Sequence, residues 1–127
     1  IKLKTLLEKK KIDTPEIEIY TENVNEMNFD TLLNNALANK DYRLATRFLY
    51  LKNLKLLSDK LIIKWNINKT NYSYQHEIKD AAIRSGFLET TFIFDYVWYG
   101  EFPVDEYQYS IVENRMNDFN KMVSNEK

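Results

Sequence analysis

Asp95 stands inside the most apolar stretch of the chain, residues 87–100 (FLETTFIFDYVWYG). A carboxyl group there either titrates high and does acid–base work or pairs with a cation. Arg43 and Arg47 lie four residues apart, one helical turn, and are the obvious partners. A structural ion pair of Asp95 with Arg43 and Arg47 is therefore expected. Acid–base catalysis needs a second acid beside the first, and the sequence positions none convincingly. Trp98-Tyr99-Gly100 carries two readings. A Trp beside a helix-ending Gly can line a groove that receives a partner's apolar side chain. Equally, Trp98 fills the core and Gly100 takes the left-handed conformation at the helix end. Lys69-Thr70-Asn71 has the polar residues of a phosphate loop without the glycines that let backbone approach phosphate. Tyr50, Tyr72 and Tyr74 have faces on which bases could stack, but no basic patch accompanies them, and they are read as core and rim. His76, between Gln75 and Glu77, reads as a surface residue.

Composition narrows the chemistry further. The 127 residues contain no Cys and one His, so thiolate zinc sites, disulfides, cysteine nucleophiles and multi-His metal centres are excluded. No metal and no cofactor are expected. Residues 1–11 (IKLKTLLEKKK) carry five Lys and one Glu, while the remaining 116 carry 13 basic and 18 acidic residues. A mildly acidic body is a poor nucleic-acid binder, because duplex affinity needs clustered positive charge. The lysine-rich start is what the cytoplasmic flank of a transmembrane helix looks like; the alternative is a solvated amphipathic turn. Ile1 is not an initiator Met, so the chain is read as a piece of a longer protein. No run of about 18 apolar residues occurs.

The elements that must position these residues are helices, since 44% hydrophobic content comes with only two Gly and two Pro. Residues 1–11 form a basic juxtamembrane segment, and 12–27 an acidic linker whose residues 16–20 alternate like an edge strand. The helical domain spans 28–123 and the polar tail 124–127. Asn28 caps a first helix with Phe29, Leu32, Leu33, Ala36 and Leu37 on its apolar face. Asp41 opens a second, central helix to about residue 60, with Lys52, Lys55 and Asp59 as its wet stripe. This hairpin resembles one tetratricopeptide unit, but no second copy follows, so a solenoid is rejected. Residues 61–65 (LIIKW) read as a short strand that pairs with residues 17–20. Thr70 caps a third helix to about Arg84, which Ser85-Gly86 break. A fourth, about 87–99, is apolar in almost every direction and must be enclosed by others. Asp105 with Gln108 is a capping-box signature for a last helix burying Tyr109, Val112, Met116, Phe119 and Val123. The fold class is mainly α, a compact bundle of about five helices with at most a two-stranded ribbon.

Several segments occur in a characteristic order: Asp41-Tyr42-Arg43 with Leu49-Tyr50, then Lys69-Thr70-Asn71, then Val97-Trp98-Tyr99-Gly100 followed by Pro103. Over residues 28–120 this resembles the domain of unknown function at the C-terminus of bacterial transglutaminase-like membrane proteins. That domain also occurs without a transglutaminase, notably in short membrane proteins of Bacteroidetes-type bacteria. The resemblance implies a mostly helical domain following a transmembrane helix at the cytoplasmic face of the inner membrane. It brings no catalytic role, because the transglutaminase Cys-His-Asp set belongs to a separate domain and there is no Cys here. Where the family tends to carry an acid two places after the Asn, this chain has Ser73, so the reciprocal contact to the Thr70 amide is lost.

The expectation is a non-enzymatic interaction module, docking a protein partner and held to the membrane by a helix outside this chain. The partner-binding or motif residues are Tyr42, Arg43, Tyr50, Thr70, Asn71, Trp98, Tyr99 and Gly100. The alternative is a sensor that binds a small ligand or peptide in an aromatic pocket near Trp98.

Overall fold

The computed structural model describes residue 24, residues 27–100 and residues 103–127. Among these it forms four α-helices and one 3-10 helix, in the order α1 (Phe29–Ala38), α2 (Tyr42–Asp59), the 3-10 helix (Asn71–His76), α3 (Ala81–Tyr99) and α4 (Glu106–Ser124). Helix α2 is central and packs against α1, α3 and α4; α3 and α4 pack on each other, and the 3-10 helix lies on α3. The mainly α bundle expected from the composition is the fold observed.

Side-chain caps start the helices where the sequence places them. Asn28 accepts from the Thr31 amide at 3.2 Å and Asp41 from the Leu44 amide at 3.0 Å. Asp105 and Gln108 complete a reciprocal capping box at 2.7 and 3.1 Å. Each satisfies amide donors that the first turn leaves without helical partners. Two helix ends use a costlier device. After α1 and α2 the chain turns through Lys40 (φ 55) and Leu61 (φ 61). The amides of Lys40 and Asp41 return to the Leu37 and Ala36 carbonyls, and those of Leu61 and Ile62 to the Ser58 and Leu57 carbonyls. These are Schellman closures with a side-chain-bearing residue where glycine is usual.

The core gathers inward faces from all the helices. Tyr109, Val112, Met116, Phe119 and Val123 are all buried, as their spacing predicts, while in α1 Phe29 and Ala36 are buried with Leu32, Leu33 and Leu37 packed around them. Buried Asn53 donates to the Met116 carbonyl at 3.1 Å and accepts from Asn120 at 2.9 Å, a polar tie between α2 and α4. Val24 and Met27 also belong to the core, so the packed domain begins earlier than residue 28 and includes part of the segment read as linker. At the other end Lys60 Nζ donates to the carbonyls of Ser124 and Glu126, tying the start of the tail to α2.

Three expectations about the middle of the chain are corrected. Residues 61–65 form no strand, and no strand occurs among the described residues; residues 17–20, the proposed pairing partner, lie outside them. The apolar residues there serve the core instead, with Ile63 buried and Ile62 and Trp65 packed beside it. The third helix is reduced to the 3-10 helix, and Thr70 makes no side-chain cap to it. Asp80 is the cap that matters, accepting from the Ile83 amide at 2.9 Å. From there α3 runs without interruption through Ser85-Gly86. Gly86 is there for close approach: a Cβ at this position would come within 2.7 Å of the Phe119 ring on α4.

Candidate functional site

Aromatic side chains do gather around Trp98, and the cluster they form is mostly interior. Trp98 and Tyr50 are each 1% exposed. Phe94 lies between them, its ring centroid 4.7 Å from that of Tyr50 and 6.2 Å from that of Trp98. Tyr50 and Thr91 share a hydroxyl hydrogen bond of 2.8 Å, and burial pushes the Tyr50 phenol far above its ordinary range. The Arg43 guanidinium sits 3.9 Å from the Trp98 ring centroid and donates to the Trp98 carbonyl from Nε at 3.0 Å and Nη2 at 2.6 Å. That carbonyl is one of the last in α3, which helix geometry leaves without an amide partner. Arg43 therefore closes the C-terminal end of α3. Burial lowers its pKa, against Tyr99, which raises it. Arg47 stacks beside it, 5.2 Å from the Phe94 centroid and 5.0 Å from that of Trp98. Tyr42 stacks on Tyr109 at 5.2 Å.

Asp95 is not among the ion-paired acids of the described residues, which corrects the expected pairing with Arg43 and Arg47. One residue on from Phe94 is about 100° around the helix, so Asp95 is turned off the face that meets α2, toward Tyr72 of the 3-10 helix. Burial pushes the Asp95 carboxyl up, and the nearby Tyr72 phenol pulls it partly back. Gly100 is likewise different from its left-handed reading, with φ −72 and ψ 152, an extended residue leading into the connection to α4. Thr70 and His76 are exposed and Asn71 half-buried. Lys69 is engaged by Glu77 at 2.9 Å and the Lys64 carbonyl at 2.7 Å, so its charge is committed within its own loop.

Among the described residues the enclosure expected for the aromatic helix is incomplete, and the candidate site lies on its more exposed side. Phe92 is 64% exposed and Tyr96 58%, with Ile111 of α4 opposite at 46%. Together they border a groove of about 610 Å³ between α3 and α4, with Ile93, Val97 and Val112 beneath. Pro103 and Val104, in the connection between the helices, close one end. Glu89 and Arg115, 3.6 Å apart, stand at the other. Gln108 lines the wall but its carboxamide oxygen is held by the Asp105 amide. Trp98 is not among the lining residues; it points to the opposite side of α3, into the core. The groove is thus apolar and offers shape and hydrophobic contact.

Of the expected site residues, the fold brings Arg43, Tyr50 and Trp98 together in the core, leaves Tyr99 at its edge, and separates Thr70 and Asn71 from them. The groove residues Glu89, Phe92, Ile111 and Arg115 were not singled out by the sequence. One signal was there: Ile111 is apolar yet lies off the face formed by Tyr109, Val112, Met116, Phe119 and Val123.

Among the described residues no helix is long and apolar enough to cross a membrane, and no group of three or more His, Cys, Asp or Glu could hold a metal ion. Comparison of the chain with protein-family models, with curated proteins and with solved structures finds no match.

Proposed function

We propose that this domain is a non-enzymatic docking module whose contact face is the groove between α3 and α4. The observation that carries the reading is the exposure of Phe92 on α3 and Ile111 on α4 across the groove, with Tyr96 beside them, on a helix apolar on nearly every side. Large apolar side chains grouped on a surface lose free energy to water that a partner recovers. Such a face takes an apolar helical segment, since Phe92 and Tyr96 repeat at i and i+4. The lysine-rich start and the resemblance to the membrane-protein domain support a location beside the cytoplasmic face of a bacterial inner membrane.

The test is a photoreactive phenylalanine analogue at position 92, with one at exposed Lys79 as control, in the protein expressed in its own host. The expected result is a discrete protein adduct from position 92 and none from position 79. No adduct from position 92 would overturn the docking reading, and so would an enzymatic activity that Asp95→Asn abolishes in a folded protein.

A second reading, a small-ligand sensor, has one observation in its favour: a 610 Å³ groove falls within the roughly 300–1,000 Å³ typical of ligand pockets. A ligand there would press on Ile93 and Val97 instead of Trp98. It would raise the thermal midpoint of the wild type and not of Val97→Trp, which fills the groove floor.

A further inference from the structure

We infer that the occupant of the α3/α4 groove is the same groove of a second copy, in a two-fold homodimer whose axis runs along the groove. The inference rests on the docking reading and names its partner. A two-fold axis parallel to the helices keeps their directions and sets α3 of each copy against α4 of the other. Because α3 and α4 run antiparallel within one copy, every neighbour across the interface is also antiparallel. The result is an up-and-down four-helix arrangement, the regular way for such helices to cover each other's apolar stripes.

The charges at the groove's open end fit this partner. Glu89 and Arg115 stand side by side there, with side chains 52% and 57% exposed. Under the two-fold, Glu89 of each copy meets Arg115 of the other, so both charges are answered twice. A partner bearing one sign of charge would satisfy one of the two and repel the other. The chain's net charge of −1 adds little repulsion between copies.

The area is also in the right range. Aromatic side chains bury about 150–250 Å² each, so Phe92, Tyr96 and Ile111 at their 64%, 58% and 46% exposure supply roughly 300 Å² per copy. Glu89, Gln108 and Arg115, which line the same groove, and the 74% exposed Tyr107 one helical turn before Ile111 on α4 extend the patch toward the ~800 Å² per partner of a standard interface.

Sedimentation equilibrium of the full chain, from micromolar to millimolar protein, tests the proposal. The expected wild-type mass is twice the 15.3 kDa monomer. Phe92→Asp and the single reversals Glu89→Arg and Arg115→Glu each raise the dissociation constant at least tenfold. The double reversal restores it, because its charges pair again across the axis. Circular dichroism of every variant keeps the wild-type helical signal, since all three residues are exposed. A wild type that stays monomeric throughout overturns the proposal. So does a dimer that Phe92→Asp leaves intact, or one that the double reversal fails to restore. The position-92 adduct separates this failure from that of the docking reading: a monomer with an adduct to a different protein sinks only the homodimer, and a monomer with no adduct sinks both.

Discussion

Two aromatic residues six positions apart on the same helix have opposite fates, and their substitutions should separate packing from surface. Trp98 is 1% exposed and stacked between Phe94 and the Arg43 guanidinium. Trp98→Ala should cost ~3–5 kcal/mol in urea unfolding, the usual loss for a large buried aromatic. Phe92, at 64% exposure, should change stability by less than about 0.5 kcal/mol when replaced by Ser. Asp95 supplies a pH test. Its carboxyl is raised by burial, so as pH rises the unfolded chain gives up this proton before the folded one does. The group therefore favours folding below the ordinary carboxyl range of about 4, and that contribution is lost as pH climbs through the raised pKa. Asp95→Asn keeps the side chain's shape and has no charge to bury. Its thermal midpoint should equal or exceed the wild type at neutral pH, with the gap closing on acidification. A wild type that gains on the variant as pH rises would contradict this assignment.

At the scale of elements, the helix ends and one close contact set the geometry. Leu61 holds φ 61 at the end of α2 and is 90% exposed, so its side chain returns nothing to the core for the strain of the left-handed region. Leu61→Gly should stabilise the domain by about 1 kcal/mol, read as a shift in the urea midpoint with unchanged slope. Gly86 is the reverse case. Alanine would gain about 1 kcal/mol of helix propensity, but its Cβ would meet the buried Phe119 ring at 2.7 Å. Overpacking typically costs ~1–3 kcal/mol, so Gly86→Ala should be net destabilising, and Phe119→Leu should recover part of the loss in a double-mutant cycle. Both outcomes separate residues that look alike as sequence: a glycine that reads as a helix breaker is a contact point, and a leucine that reads as strand is a turn.

For the molecule as described, α2 is the common neighbour of the α-helices, because α1, α3 and α4 all pack against it. Its buried Asn53 ties α2 to the Met116 carbonyl and to Asn120 of α4, a single geometry that apolar packing alone would not specify. Asn53→Leu takes the acceptor from the Asn120 amide nitrogen and the donor from the Met116 carbonyl, and should lower stability by ~1–3 kcal/mol. The same packing that buries Phe94 and Trp98 against α2 turns Phe92 and Tyr96 outward, since one helix cannot show all its faces to one neighbour. Among the described residues α4 covers only part of the remainder, and the groove lies along the part of α3 that α2 and α4 leave exposed.

The sequence by itself determined the helical class, the capping residues Asn28, Asp41 and Asp105, and the inward faces of α1 and α4. These depend on local spacing and on hydrogen bonds within three residues, which a chain carries whatever it packs against. Only the tertiary structure decided that Gly86 continues a helix, that Arg43 goes to the Trp98 carbonyl and not to Asp95, and that Trp98 is core while Phe92 borders a groove. An all-round apolar helix such as α3 has no periodicity to say which face is covered. That choice belongs to its neighbours, and the residues they leave uncovered form the candidate site.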